Sequence, residues 1–453
     1  MTMKTSRTPF SGIRAFYVII FGLLVSTVGS GMTRFGLGFW VFAETGDAAA
    51  YTTLLFFAVL PLGLGSLFAG PVVDRLDRKR VMIVGNVVAS LSTLVIALLF
   101  FADALELWHL YIALFVNGVA NAFIFPALDS SVPLMVPKDQ LERAAGLTQL
   151  VSGLEMILAP ALAGILVGMV GLGVLFIVDF VTFGASIFAL ILSSIPKPVH
   201  SKKSSSLWTE FIFGIRYILE RPAFLYLMGF VTTAMFLLAG VGYALVTPLV
   251  LTFSSEEAAG LVLAGFGIGS FIGGIMLAIW GGPQRRMHGM LAALAMAGVG
   301  TILVGVRESA LLMAFSFVII GACFVFMIGL NRVIWQVKAS PSVLGRIFSL
   351  RVALGVGFQS LGILIAGPLA EMLFEPLLDE GGALSPSMGQ LIGVGDGRGM
   401  AFMFLLIGSG LIILAILSAL SPTIRFLEDR VPDYVADTDE PIAEQAHRLP
   451  IGD

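Results

Sequence analysis

Gly70-Pro71-Val72-Val73-Asp74-Arg75-Leu76-Asp77-Arg78-Lys79-Arg80 stands between two long apolar segments. From Asp74 to Arg80 only Leu76 is not ionic. A charged side chain at the centre of a bilayer costs about 2.5–3.5 kcal/mol on insertion scales, so this run belongs in water. It reads as a tight turn between one helix arriving from Thr52 and another leaving at Val81.

The chain is 58% hydrophobic and 12% charged, with a mean hydropathy of +0.99. Soluble domains carry about 25% charged residues, so most of this chain faces lipid or other apolar helices. A spanning helix needs about 20 mostly apolar residues. Windows of that kind fall at 15–43, 50–72, 81–102, 108–134, 144–169 and 172–194. After a polar stretch a second series falls at 223–252, 258–281, 287–306, 309–336, 347–374 and 399–421. The spacing predicts an all-α polytopic membrane protein of 12 transmembrane helices. Its parts are an N-terminal six-helix bundle (1–195), a cytoplasmic linker (196–222), a C-terminal six-helix bundle (223–421) and a disordered acidic tail (422–453). The apolar side chains of 207–222 can share one face of an amphipathic helix ended by Pro222. The segment 375–398 is long and Gly-rich for a connection, and nothing in its composition explains that length. The polar, basic N-terminus precedes an apolar stretch too long for a signal peptide, so no cleaved signal is expected.

The halves repeat. Gly63-x-Gly65-Ser66-x-x-x-Gly70 returns as Gly267-x-Gly269-Ser270-x-x-x-Gly274, every position displaced by 204. The same shift brings Arg143 to within one residue of Arg346. Basic residues set the orientation. Lys4, Arg7 and Arg14, the charged turn, Lys138 and Arg143, the linker, Arg285 and Arg286, Lys338, Arg346 and Arg351, and the tail all fall on one side. The other side carries Arg307 and Arg398. Both termini are therefore expected in the cytoplasm, with the protein in the plasma membrane.

The spacing Gly70-x-x-x-Asp74-Arg75-x-x-Arg78-Lys79 resembles the loop between helices 2 and 3 of the major facilitator superfamily, most closely its drug-exporter branch with macrolide and siderophore exporters. The family pattern has Gly where Asp77 stands. Glu-x-x-x-Gly-x-Arg-Tyr-x-Leu-x-x-Pro at 210–222 is also similar to this branch. The resemblance covers about 13–421 and implies the major facilitator fold, two bundles around a central cavity. It also implies that Gly70, Asp74, Arg75 and Arg78 form a conformational latch, with Asp74 pairing with basic groups and the N-terminal end of helix 11, near Leu344-Gly345-Arg346. A helix N-terminus carries partial positive charge. For Arg78, Lys79 and Arg80 the alternative is a plain topology signal. Ala159-Pro160-x-x-x-Gly164 resembles the family's antiporter motif imperfectly, and a packing kink explains it as well.

Charged residues inside helices need a partner or a task. Glu155, near the middle of helix 5, is the first candidate for a proton carrier, with Arg34 and Asp129 as further coupling candidates. The competing reading is a static Arg34–Glu155 pair. Asp179 is expected to bond neighbouring helices. Asn117 and Asn121 share a face of helix 4. With Asn331 and Gln359 they are either cavity residues or interhelical hydrogen-bonding groups.

Cys323 alone allows no disulfide or thiolate cluster, and the four histidines lack metal-ligand spacing. No Gly-x-x-x-x-Gly-Lys-Ser/Thr loop or His-Glu-x-x-His motif occurs, so neither an ATP-driven pump nor an intramembrane enzyme is indicated. The expectation is a monomeric, cofactor-free secondary transporter. It would export a small amphipathic compound by alternating access, using the proton gradient, and bind no metal or nucleic acid. The alternatives are a lysophospholipid flippase-type carrier of the same fold and a non-transporting sensor or scaffold. Cysteines introduced at Ser204 and Glu256 should label from opposite membrane sides, Ser204 from the cytoplasm. Labelling of both from outside would reverse the topology.

Overall fold

A computed structural model describes residues 10–137, 140–196, 215–338 and 341–431. Twelve helices among them are long and apolar enough to cross a membrane. In chain order they are α1 (Ile13–Thr45), α2 (Ala48–Arg75), α3 (Arg78–Phe101), α4 (Leu107–Met135), α5 (Leu141–Val170), α6 (Gly173–Leu192), α7 (Pro222–Leu251), α8 (Glu256–Trp280), α9 (Arg286–Val306), α10 (Ala310–Lys338), α11 (Pro341–Leu369) and α12 (Arg398–Leu420). Two are irregular. α7 passes through a π-helical stretch at Met235–Gly242, and α11 passes Pro368 and continues as a π turn, Ala370–Phe374.

The charged run is a turn of two residues, Leu76 and Asp77. Asp77, where the family has glycine, caps α3: its Oδ1 accepts from the backbone N–H groups of Lys79 and Arg80 at 3.1 and 3.3 Å. A side-chain oxygen at this position satisfies N–H groups that have no partner within the helix. The neighbouring cations bond two other helices. Arg78 Nη1 donates to the Ser130 carbonyl of α4 at 2.6 Å. Lys79 Nζ donates to Ile191 and Ser193 carbonyls at the end of α6, at 3.0 and 2.7 Å. The start of α3 is thereby stapled to two neighbours. The side chains of Gly70, Asp74, Arg75, Arg143 and Arg346 lie outside the described residues, as do 197–214 and 432–453. Most of the amphipathic-helix expectation falls there; residues 215–219 are helical and Ile218 is buried.

The repeated glycines perform the same task twice. A methyl group on Gly63 would sit 2.9 Å from Val356 of α11, and one on Gly267 2.7 Å from Ile157 of α5. Each glycine therefore faces the other bundle. Gly65 and Gly269 face their own bundles, Ala122 of α4 and Val318 of α10. The two seams between bundles are α2 with α11 and α5 with α8. Among the described residues they come backbone to backbone at the end away from the termini. There Gly260 abuts the Pro160 carbonyl, Gly164 that of Glu256, and Gly367 the backbone of Ala48 and Ala49. The Ala49 N–H also donates across the seam to Glu371 Oε1 at 3.1 Å. Toward the termini, Gly153 of α5 and Gly355 and Gly357 of α11 meet open space. Pro160 and Gly164 thus lie on the contact between halves, within a helix that runs on past the proline.

Two expectations change. The tail does not begin as disorder at 422. Pro422–Arg425 and Leu427–Arg430 are short helices that bury Ile424 and Leu427. Glu428 accepts from the Met287 N–H and Arg286, at 3.0 and 3.4 Å, at the start of α9. Sparse apolar residues suffice when each is buried and the acid caps a helix. The segment 375–398 is a packed cap. Glu375 accepts from the N–H groups of Gly399 and Met400, at 3.1 Å each, and buried Arg398 bonds the Ile392 carbonyl and Glu308, at 3.0 Å each.

Gly260→Val would force a side chain into the Pro160 carbonyl. We expect a loss of about 1–3 kcal/mol, the usual range for overpacking. Thermal unfolding checks it, with Gly153→Ala as the neutral control.

Candidate functional site

The first bundle encloses a cavity of about 100 Å³ walled by α1 to α6. Helical periodicity aligns its lining: Ser26, Ser30, Thr33 and Arg34 form one stripe of α1, and Asn86 and Thr93 face it from α3. Asn117 and Asn121 enter from α4, Glu155 from α5 and Asp179 from α6. Polar side chains from five of the six helices converge inside an otherwise apolar bundle.

Arg34 Nη2 meets Glu155 Oε1 at 2.8 Å, with the two side chains 37% and 23% exposed. The pair faces the cavity and ties α1 to α5. It has the geometry of the static-pair reading, and it also sets the acid where solvent can reach it. Asn121 Nδ2 donates to Asn117 Oδ1 at 2.7 Å and to the Asn117 carbonyl at 3.0 Å. The two amides bond each other along one helix instead of crossing to a neighbour, and both stay on the cavity wall. Asp179 is 1% exposed and ties three helices together. Ser30 Oγ of α1 donates to its Oδ1 at 2.8 Å, and Thr93 Oγ1 of α3 donates to its Oδ2 at 3.0 Å. A neighbour-bonding role for Asp179 was legible; its place at the cavity was not.

The other candidates lie elsewhere. Asp129 is exposed near the terminal-side end of α4. Asn331 is fully buried in α10, its Oδ1 accepting from Trp335 Nε1 at 3.1 Å. Gln359 of α11 reaches the Ala239 carbonyl in the π-helical part of α7 at 3.5 Å. Ser30 and Thr93 were not singled out from sequence. Ser26, Ser30 and Arg34, four residues apart on one apolar helix, were the available signal for the α1 stripe.

Two repeated six-helix halves, seamed along two helix pairs, with a polar chamber inside the first, have the build of a membrane transporter. The chain belongs to the major facilitator superfamily, whose family model matches residues 19–376. It is 26% identical over 373 residues to macrolide efflux protein A of Streptococcus pyogenes, spanning 79% of this chain and 90% of that one. It is 25% identical over 372 residues to the multidrug efflux pump Tap of Mycolicibacterium fortuitum, spanning 78% and 88%. Among solved structures, a mutant of the nucleoside transporter NupG superposes with a TM-score of 0.69 at 12% identity, covering 89% of this chain and 98% of that one. That likeness shows the fold alone. The chain is thus a multi-pass membrane protein of this superfamily, with efflux proteins among its relatives.

Glu155→Gln leaves Arg34 without its carboxylate. Breaking a buried pair costs about 3–5 kcal/mol and an exposed one about 0.2–1, so this half-exposed pair should lose on the order of 1–3 kcal/mol. Thermal stability of purified protein checks it, and adding Arg34→Gln should restore most of the loss. A single variant as stable as the wild type would show the pair to be dispensable for folding.

Proposed function

We propose that the protein exports a small amphipathic compound across the plasma membrane, driven by inward proton flow. The observation that carries this reading is the charged chamber in a chain whose relatives are named efflux proteins. An ion pair and hydrogen-bonded amides beside apolar walls suit a solute with both characters. Arg34 and Glu155 serve coupling: a proton reaching Glu155 removes its charge and with it the attraction to Arg34, loosening α1 from α5. Asp129 lies away from this chamber, as do Asn331 and Gln359, so Asn117 and Asn121 are the better substrate contacts.

The described contacts close the seams at the end away from the termini. With both termini cytoplasmic, this is the conformation open to the cytoplasm, where an exporter loads. Transport then requires the halves to rock against each other along the two seams. Asp74 and Arg75 latch one of the two states, and Asp74→Asn should lower transport while the protein still reaches the membrane, because it removes a contact that one state alone makes.

One feature favours the lipid-carrier alternative. An apolar groove of about 600 Å³ runs between α3 and α4, lined by Val84, Val88, Phe115, Val119 and Phe123, with Arg80 at its rim. An acyl chain with a phosphate head fits that chemistry. Everted membrane vesicles separate the readings. With acid inside, they should take up ethidium or a labelled macrolide, and a protonophore should abolish the uptake. Uptake indifferent to the protonophore, or movement of a labelled lysolipid in place of the drugs, would overturn the proton-driven drug reading.

A further inference from the structure

Three ionisable groups meet at the cavity, and their charges do not balance. Arg34 of α1 contributes one positive charge; Glu155 of α5 and Asp179 of α6 contribute two negative ones. The helices packed on Asp179 supply nothing else nearby. α3 faces it with Thr93 and keeps its ionisable groups, Arg78, Lys79 and Arg80, in its first turn. α6 carries no second ionisable residue. With both acids ionised the group would hold a net negative charge inside the membrane span. An unpaired buried charge is removed by taking up or losing a proton rather than being sustained.

Geometry decides which acid holds the proton. The guanidinium is committed to Glu155 at 2.8 Å, so a proton there would dissolve the pair that is present. Asp179 is sealed, at 1% exposure, and the hydroxyls that bond it, Ser30, Thr93 and Thr33, are neutral. A hydroxyl can donate or accept, so with the proton bound one of them reverses its bond and accepts from the acid, and the same partners serve both forms. A site for a multivalent metal is not built here: no cluster of three or more acidic, histidine or cysteine side chains suited to one occurs among the described residues.

We propose that Asp179 is a proton-binding site, loaded in this conformation, and that Arg34 is the counter-ion it shares with Glu155. When Arg34 stays with Glu155, Asp179 keeps its proton; when Arg34 is released, Asp179 can give it up. The proton crosses to solvent through the cavity with no change in covalent bonds beyond the O–H. The role in transport rests on the proton-driven reading above, whereas occupancy by a proton does not.

The test uses the full-length protein in lipid, with infrared difference spectra between acid and alkaline buffers. The wild type should show the carbonyl stretch of a neutral carboxylic acid at neutral pH. Asp179→Asn should lose that band. Glu155→Gln should lose it at neutral pH too, because the freed Arg34 then balances an ionised Asp179. If Asp179→Asn fails to fold, Asp179→Glu serves instead and should displace the band. Replacing potassium by sodium should leave the band unchanged. A band that survives Asp179→Asn, is not displaced in Asp179→Glu, or disappears with sodium would overturn the assignment. In everted vesicles Asp179→Asn should lose gradient-driven ethidium uptake, and uptake at the wild-type level would remove Asp179 from coupling. Absence of gradient-driven uptake in the wild type would instead defeat the proton-driven reading, while the infrared result would still decide where the proton sits.

Discussion

Helices in lipid gain little by burying apolar side chains against each other, since the tails they leave are equally apolar. What holds them is close approach, and close approach needs small residues. The whole architecture depends on this constraint. Gly63 and Gly267 let the bundles touch, Gly65 and Gly269 hold each bundle to its own fourth helix, and Gly164, Gly260 and Gly367 bring backbone against backbone across the seams. The repeat by 204 residues is therefore a repeat of contacts. The halves are related because the same two surfaces had to be built in each.

The same solvent makes polar groups few and consequential. Arg34, Glu155, Asp179 and the hydroxyls around them occupy one region of one bundle, while Asn331 and Gln359 in the other bundle bond Trp335 and the α7 backbone. The polar chamber belongs to the N-terminal half. Around the chamber that half is tied together through side chains: Ser30 and Thr93 to Asp179, and Arg34 to Glu155. Any change of charge in the chamber acts on α1 first, because α1 carries both Ser30 and Arg34.

Local features were legible in the sequence; meetings between helices mostly were not. The charged turn, the twelve apolar windows and the glycine repeat depend on neighbours in the chain, and the structure places helices at every window. The Arg34–Glu155 pair could be named because two opposite charges in lipid leave few other arrangements. The convergence of Ser30 and Thr93 on Asp179 depends on the rotation of three helices about their axes, which no single window encodes. The tail was misread because composition reports average polarity, whereas Ile424, Leu427 and Glu428 each meet a specific site. The outer segment 375–398 was opaque for the same reason: Glu375 caps α12 across 24 residues of chain.

The π-helical stretch of α7 bears on how this chain tolerates lengthening and shortening. A π segment holds about one residue more than the α-helical turns it replaces, and each α-helical residue turns the helix by about 100°. Met235–Gly242 therefore sets a phase difference between Pro222–Ala234 and Tyr243–Leu251. Removing one residue there would regularise the helix and swing one end by more than a quarter turn against its neighbours. The deletion would leave hydropathy and span length almost untouched. In this protein the α7 register is a coordinate in its own right, invisible to any measure of how apolar the helix is.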